Sequence, residues 1–167
     1  MIDLKNKLPV EDRLDIHELF ARYSWALDLG DPEGVLACFT EDCLFDHLWQ
    51  GHVQGRENII RALEELWYDR PGWWVGRQHL FDHLLIERRD DHTARVRSFF
   101  SILQFNVYYR KSFVFGVGTR DDVCVKRDGV WLFKELHVNA WREADEIPWQ
   151  GERRAWDVSA PPAQVGS

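Results

Sequence analysis

The stretch VEDRLDIHELFARYSWALDLGDPE, Val10 to Glu33, holds a helix, its stop and the start of the next helix. Ile16, Leu19, Phe20, Tyr23 and Leu27 recur at steps of three and four, while Asp12, Arg13, Asp15, Glu18 and Arg22 fall between them. That spacing predicts an amphipathic helix with one buried face. Gly30 is a natural stop. Asp31-Pro32-Glu33 restarts a helix with an N-cap acid, a proline at the first helical position and an acid in the first turn. The second helix is expected to be short, ending near Phe39.

Further along, Thr40-Glu41-Asp42 reads as a turn and Cys43 to Trp49 as a strand. Gly51 and Gly55 bracket another turn. From Glu57 to Tyr68 the positions Ile59, Ile60, Leu63, Leu66 and Trp67 give a third helical stripe, closed by Asp69-Arg70-Pro71-Gly72. Everything after that is strand-like: Gln78 to Arg88, Thr93 to Tyr109, Ser112 to Lys126 and Val130 to Trp141, separated by turn-formers such as Asp90-Asp91 and Asp128-Gly129. Three helices followed by long antiparallel strands imply an α+β protein, with the helices on one face of a strongly curved sheet.

A chain of 167 residues, 45% of them hydrophobic, suits one domain with a sizeable core. That domain is assigned to 1–147, followed by a tail, 148–167, that is partly docked or disordered. Pro161-Pro162 and the absence of periodicity argue for looseness, while Trp149 and Trp156 suit docking on a neighbouring subunit. The net charge of -7 argues against a nucleic-acid partner, which needs clustered Lys and Arg. Met1 to Arg13 lacks the apolar core of a signal peptide, and no apolar run is long enough to span a membrane. Cys38, Cys43 and Cys124, odd in number and in apolar contexts, read as buried reduced thiols. A cytoplasmic location is therefore expected.

Two residue types carry the chemistry. Asp28 lies at the end of the first helix, five residues after Tyr23, and a carboxylate near the core-facing side must be paired because an isolated buried charge is costly. His79 supplies a partner: on a strand starting at Gln78, His79, Phe81, His83 and Leu85 share one face. His83 would then sit about 13 Å along the strand from His79, suited to the far end of a two-ring substrate. With His47, Trp25, Trp49 and the Trp73-Trp74 loop it suggests a long aromatic-lined pocket, in keeping with the nine tryptophans of the chain. No metal is expected, since His79 and His83 are too far apart for one zinc ion and Asp82 points to the opposite face. P-loop, dinucleotide-binding, nucleophile-elbow and Cys-x-x-Cys patterns are missing from the sequence.

The helix Ile16–Asp28 followed by Gly30-Asp31, the run Phe39-Thr40-Glu41-Asp42, the Gly55-Arg56-Glu57 helix start, the Gln78-His79 strand and the Asp128-Gly129-Val130-Trp131 hairpin together resemble the SnoaL-like branch of the NTF2-like superfamily over roughly Leu8 to Trp141. The resemblance implies a cone-shaped barrel and points to cofactor-independent lyases such as scytalone dehydratase, bile-acid 7α-dehydratase and hexachlorocyclohexane dehydrochlorinase. In these an Asp at the end of the first helix orients a His that removes a proton. Asp28 and His79 match those positions, Tyr23 matches a tyrosine of the bile-acid enzyme, and His47 falls where scytalone dehydratase has a substrate-positioning tyrosine.

Departures from that pattern bear on the leaving group. Ser101-Ile102-Leu103-Gln104 offers a hydroxyl and an amide where relatives carry a second catalytic His or Asp, and Arg142 stands beside, rather than at, the late arginine position. The expectation is a lyase acting on an apolar ring-bearing compound (aromatic, diaryl or polycyclic), using His79, Asp28 and Tyr23 as catalytic residues. His47, His83, Trp25, Trp49, Trp73 and Ser101 would contact substrate, and no cofactor would take part. Water, halide or a one-carbon fragment such as formaldehyde would leave. The alternatives are an isomerase, cyclase or epoxide hydrolase on the same cone, or a non-catalytic binding module resembling dioxygenase β-subunits. The resemblance also implies a homo-oligomer, trimer ahead of dimer.

Overall fold

Helix α1 (Val10–Leu29) buries Ile16, Leu19, Phe20, Tyr23, Ala26 and Leu27, the stripe spaced for one face. Gly30 ends it in the left-handed conformation (φ 68°), which glycine adopts without strain. The side chain of Asp31 then accepts the backbone N–H of Gly34 at 3.0 Å and starts α2 (Pro32–Leu36). These elements belong to a computed structural model that describes residues 7–47, 51–69 and 74–148. The remaining elements are β1 (Phe39–His47), β2 (Gly51–Gln54), α3 (Arg56–Tyr68), β3 (Arg77–Arg88), β4 (Thr93–Asn106), β5 (Lys111–Arg127), β6 (Val130–Ala140) and a 3₁₀ turn, Ala144–Glu146.

The six strands form one sheet in the order β2-β1-β6-β5-β4-β3, antiparallel throughout except for the parallel pair β1–β6. The sheet stays open, with β2 and β3 as its edges. α1 packs on β3 and β6, and α3 on β1 and β2, so the helices cover the concave face. The fold is thus α+β, a curved, mostly antiparallel sheet under three helices. The curvature has a local cause: the pairing register shifts within β1–β6, β3–β4, β4–β5 and β5–β6. Each such irregularity adds twist and bends the strand.

Inside, Phe20 and Tyr23 of α1 meet Phe133 of β6 edge-on, and Tyr23 also meets Phe39 of β1. Trp131, 1% exposed, donates its indole N–H to Asp12 at 2.9 Å, and Lys126 pairs with the same carboxylate at 2.6 Å. Those two bonds, Lys126 first, hold the Asp12 carboxyl below its ordinary value and tie the start of α1 to the β5–β6 hairpin. Cys38, Cys43 and Cys124 are buried free thiols. Among the described residues no helix is long and apolar enough to cross a membrane.

Three local expectations are corrected. Residues 40–42 are not a turn: the strand begins at Phe39, with the register irregularity between Phe39 and Leu44 absorbing the polar Thr40-Glu41-Asp42 run. Gly51 to Gln54 is a strand paired back on β1 rather than a turn, with Gly51 alone at positive φ (65°). β4 stops at Asn106, short of Tyr109, because the Asn106 side chain accepts the N–H groups of Tyr108 and Tyr109 and so turns the chain. Beyond Pro148, the expected docking of Trp149 and Trp156 lies outside the described residues.

Candidate active site

The last turn of α1 leaves carbonyl groups without helical partners. The carbonyl of Leu27 receives two indole N–H donors, from Trp67 of α3 at 3.1 Å and from Trp74 at 3.3 Å, both bonds buried. The next residue is Asp28. Two tryptophans on separate segments therefore fix the helix end that carries the carboxylate.

Asp28 grips one residue twice. Its Oδ2 accepts the backbone N–H of His79 at 2.6 Å, and its Oδ1 lies 2.5 Å from the ring Nδ1. β3 is an edge strand, so alternate N–H groups along it lack a strand partner, and the carboxylate takes one of them. Against an ionised carboxylate, which only accepts, Nδ1 is the donor, and in the neutral ring Nε2 is then the proton acceptor. The two side chains are only 13% and 12% exposed. Trp74 and Phe81 flank the imidazole, with ring centroids 5.7 and 6.2 Å away.

His79 opens on a cavity of about 160 Å³ between the concave sheet face and α1, the size of an apolar void that takes a single six-membered ring. Its walls are apolar, with six aromatic side chains, Phe45, Trp74, Phe81, Phe100, Phe115 and Trp141, among aliphatic ones. Four polar side chains interrupt them, Tyr23, His79, Arg120 and Arg142. Burial pushes the Tyr23 phenol well above its ordinary pKa, so it stays protonated and able to donate. Arg142 is held by Glu146 through its guanidinium at 2.7 Å, and the Glu146 carboxyl is pulled down to about 2 by Arg142.

Arg120 and Asp122 are the residues that sequence reasoning missed. Both lie on the inward face of β5, with side chains 1% and 0% exposed, and they pair at 2.8 Å. The Arg120 guanidinium packs on the rings of Phe81, Phe20, Phe133 and Tyr23, at 4.4, 4.9, 5.1 and 5.4 Å from their centroids. Asp122 accepts the backbone N–H of His137 at 3.2 Å, and burial raises its carboxyl to about 6 even beside Arg120. A signal existed in the alternation Gly118, Arg120, Asp122, Cys124: two charges at the inward positions of a strand flanked by small or apolar neighbours.

The structure distributes the other predicted residues unevenly. Tyr23 lines the cavity with His79. Trp25 does not line that cavity: 70% exposed, it borders a second, more open pocket together with Asp28 and His79. Ser101 is also corrected. Its neighbours Phe100 and Ile102 line the cavity, and adjacent strand residues face opposite ways, so its hydroxyl points to the outer face beside exposed Leu80. His83 fails for a different reason. The β3–β4 register shifts between Asp82 and Leu85, and His83 sits at positive φ (56°). This bulge inverts the alternation, so that Arg77, His79 and Phe81 face inward, then Leu84 and Ile86, while His83 is exposed. Trp49, Trp73 and the side chain of His47 lie outside the described residues, and Trp74 takes the wall position proposed for the Trp73-Trp74 loop. Among the described residues no three His, Cys, Asp or Glu side chains cluster as a metal site.

A family profile described as a SnoaL-like domain matches residues 9–137. The fold is similar to that of Rv3472 from Mycobacterium tuberculosis, a protein of unknown function (25% identity, TM-score 0.71, covering 82% of this chain and 80% of that one). It is similar to a scytalone dehydratase-like protein from Novosphingobium aromaticivorans (25% identity, TM-score 0.67, covering 79% and 85%). A protein from Catenulispora acidiphila in complex with S-DNPA also matches (27% identity, TM-score 0.68, covering 78% and 93%). Comparison with curated proteins gave no match.

Proposed function

Because this chain belongs to the SnoaL-like domain family, we propose that it is a cofactor-independent lyase in which His79 removes a proton from an apolar, ring-bearing substrate and a small group leaves. The observation that carries this reading is the two-point grip of Asp28 on His79 at the wall of an aromatic cavity. Asp28 holds the proton on Nδ1, so Nε2 accepts the substrate proton, and the carboxylate 2.5 Å away stabilises the imidazolium that forms. General-base help of this kind is worth about 10²–10⁴-fold. Tyr23, kept protonated, donates to the departing oxygen. If the base takes a hydroxyl proton instead, the O–H electron pair becomes the C=O bond of formaldehyde and the C–C bond breaks. Its electron pair stays on the ring-bearing fragment, which takes the proton back from His79.

In this reading one ring of the substrate occupies the cavity beside His79. A homo-oligomer, trimer ahead of dimer, remains part of the proposal, as does a cytoplasmic location. The test is incubation of the protein with pooled aromatic and steroidal alcohols, followed by mass spectrometry. Loss of water or of formaldehyde that disappears in His79→Ala supports the reading. Binding without mass change across the panel would instead favour a non-catalytic module.

A further inference from the structure

Resting on that proton-abstraction reading, we propose that Arg120 is the oxyanion-binding group of the cavity and that the substrate is a cyclic ketone-type carbon acid whose enolate oxygen Arg120 receives. Arg120 lines the cavity with its side chain 1% exposed. Guanidinium carries five N–H donors. Nη2 lies against Asp122, yet Nε and Nη1 are buried without a hydrogen-bond partner among the described residues. A buried donor left unpaired is costly, and the aromatic rings of Phe81, Phe20, Phe133 and Tyr23 cannot accept along the N–H edges as an oxygen would. A ligand oxygen entering from the cavity supplies what the protein does not.

Arg120 and the base share one cavity wall. Arg120 and His79 pack on the same ring, 4.4 and 6.2 Å from the centroid of Phe81. Both also line the one cavity, and in the proposed pose a carbonyl oxygen of a five- or six-membered ring meets Arg120 while the adjacent C–H meets His79. In the step, the C–H bond breaks, its proton goes to Nε2 of His79, and its electron pair becomes the new C=C bond while the carbonyl electrons move to oxygen. Fixed donors aimed at the developing charge lower the barrier because they need no reorganisation. No oxidant or co-reactant enters, and elimination or reprotonation follows from the same enolate.

Two probes test this on the full chain. The first is benzoate, an anionic ring of the right size, titrated by tryptophan fluorescence and by the Arg Nε–H signals in ¹⁵N NMR. The second is 2-indanone, followed by NMR for exchange of its acidic C–H in D₂O. The main variant is Arg120→Met/Asp122→Leu, which removes the pair together because an apolar replacement of a buried ion pair is commonly tolerated. Arg120→Lys is the second variant. Benzoate is expected to shift one buried Arg Nε–H in the wild type and to bind at least about tenfold more weakly in the double variant. Indanone exchange should fall in the double variant and survive partly in Arg120→Lys. Benzoate that fails to bind the wild type, or that binds a cooperatively melting double variant within about twofold of it, overturns the proposal. Exchange by the wild type that is independent of Arg120 also overturns it while sparing His79 as base. Arg120-dependent benzoate binding with no exchange upholds the oxyanion site and removes the proton-abstraction reading instead.

Discussion

Asp28 makes both of its bonds to one residue, and an amide can replace only part of that arrangement. In Asp28→Asn the side-chain oxygen can still accept the His79 backbone N–H, but the neutral group no longer fixes the Nδ1 proton or stabilises imidazolium. Turnover is expected to fall by about 10²–10⁴-fold with little change in KM, measured by steady-state kinetics on any substrate found in the mass-spectrometric screen. An unchanged kcat would remove Asp28 from the mechanism. Asp122 gives a prediction of a different kind. Its folded pKa of about 6 exceeds the ordinary value of 3.8, so between those values the native state holds a proton that the unfolded chain has released. Stability from this group is full below about pH 4 and is lost as pH rises through about 6. Urea unfolding across that window should show the wild type losing stability relative to its low-pH value, on top of opposing contributions from carboxyls held low such as Asp121 and Glu146. Asp122→Asn should lose that component, so the two curves diverge in slope. Parallel curves would mean the Asp122 carboxyl does not titrate in this range.

At the level of elements, the end of α1 is a designed junction: one carbonyl, two indoles and the catalytic candidate next in sequence. Trp67→Phe or Trp74→Phe alone leaves the Leu27 carbonyl with one donor, and each should cost about 1 kcal/mol plus the loss of ring volume. The double variant leaves a buried acceptor empty, so its cost should exceed the sum by about 0.5–3 kcal/mol in a denaturation cycle. Additive costs would show that the indoles act only as packing. The helices were legible from local rules, a 3.6-residue stripe and a glycine stop, while a histidine in an apolar strand marked a candidate whose pairing with Asp28, 51 residues away, came through the resemblance. His83 was misplaced because strand alternation was carried across a bulge, and Ser101 because its position rested on the resemblance and not on the phase of β4. Arg120 and Asp122 escaped notice for a related reason. The alternation Gly118, Arg120, Asp122, Cys124 marks one face of β5, but which face turns inward is set by its pairing with β4 and β6.

For the whole molecule, the order of elements and the α+β class followed from patterning, whereas the open edge strands and the parallel β1–β6 pairing depend on long-range contacts that no window of sequence contains. One consequence appears on the convex side. Leu80 and Leu85 of β3, Phe99 and Phe105 of β4 and Val114 of β5 are between 40% and 60% exposed on the face away from the helices. A monomer rarely leaves so many large apolar side chains together on one surface, and this sheet face is the one on which the proposed homo-oligomer would assemble. An interface of that composition is held by apolar burial, so salt that screens surface charges should leave it intact. Size-exclusion chromatography with light scattering is therefore expected to give a trimer, or failing that a dimer, with the same mass at low and high ionic strength. Placing two lysines at its centre, Leu85→Lys/Phe99→Lys, should yield monomers, because each buried ammonium without a partner costs several kcal/mol. A wild-type monomer, or an oligomer indifferent to both lysines, would assign assembly to another surface or to none.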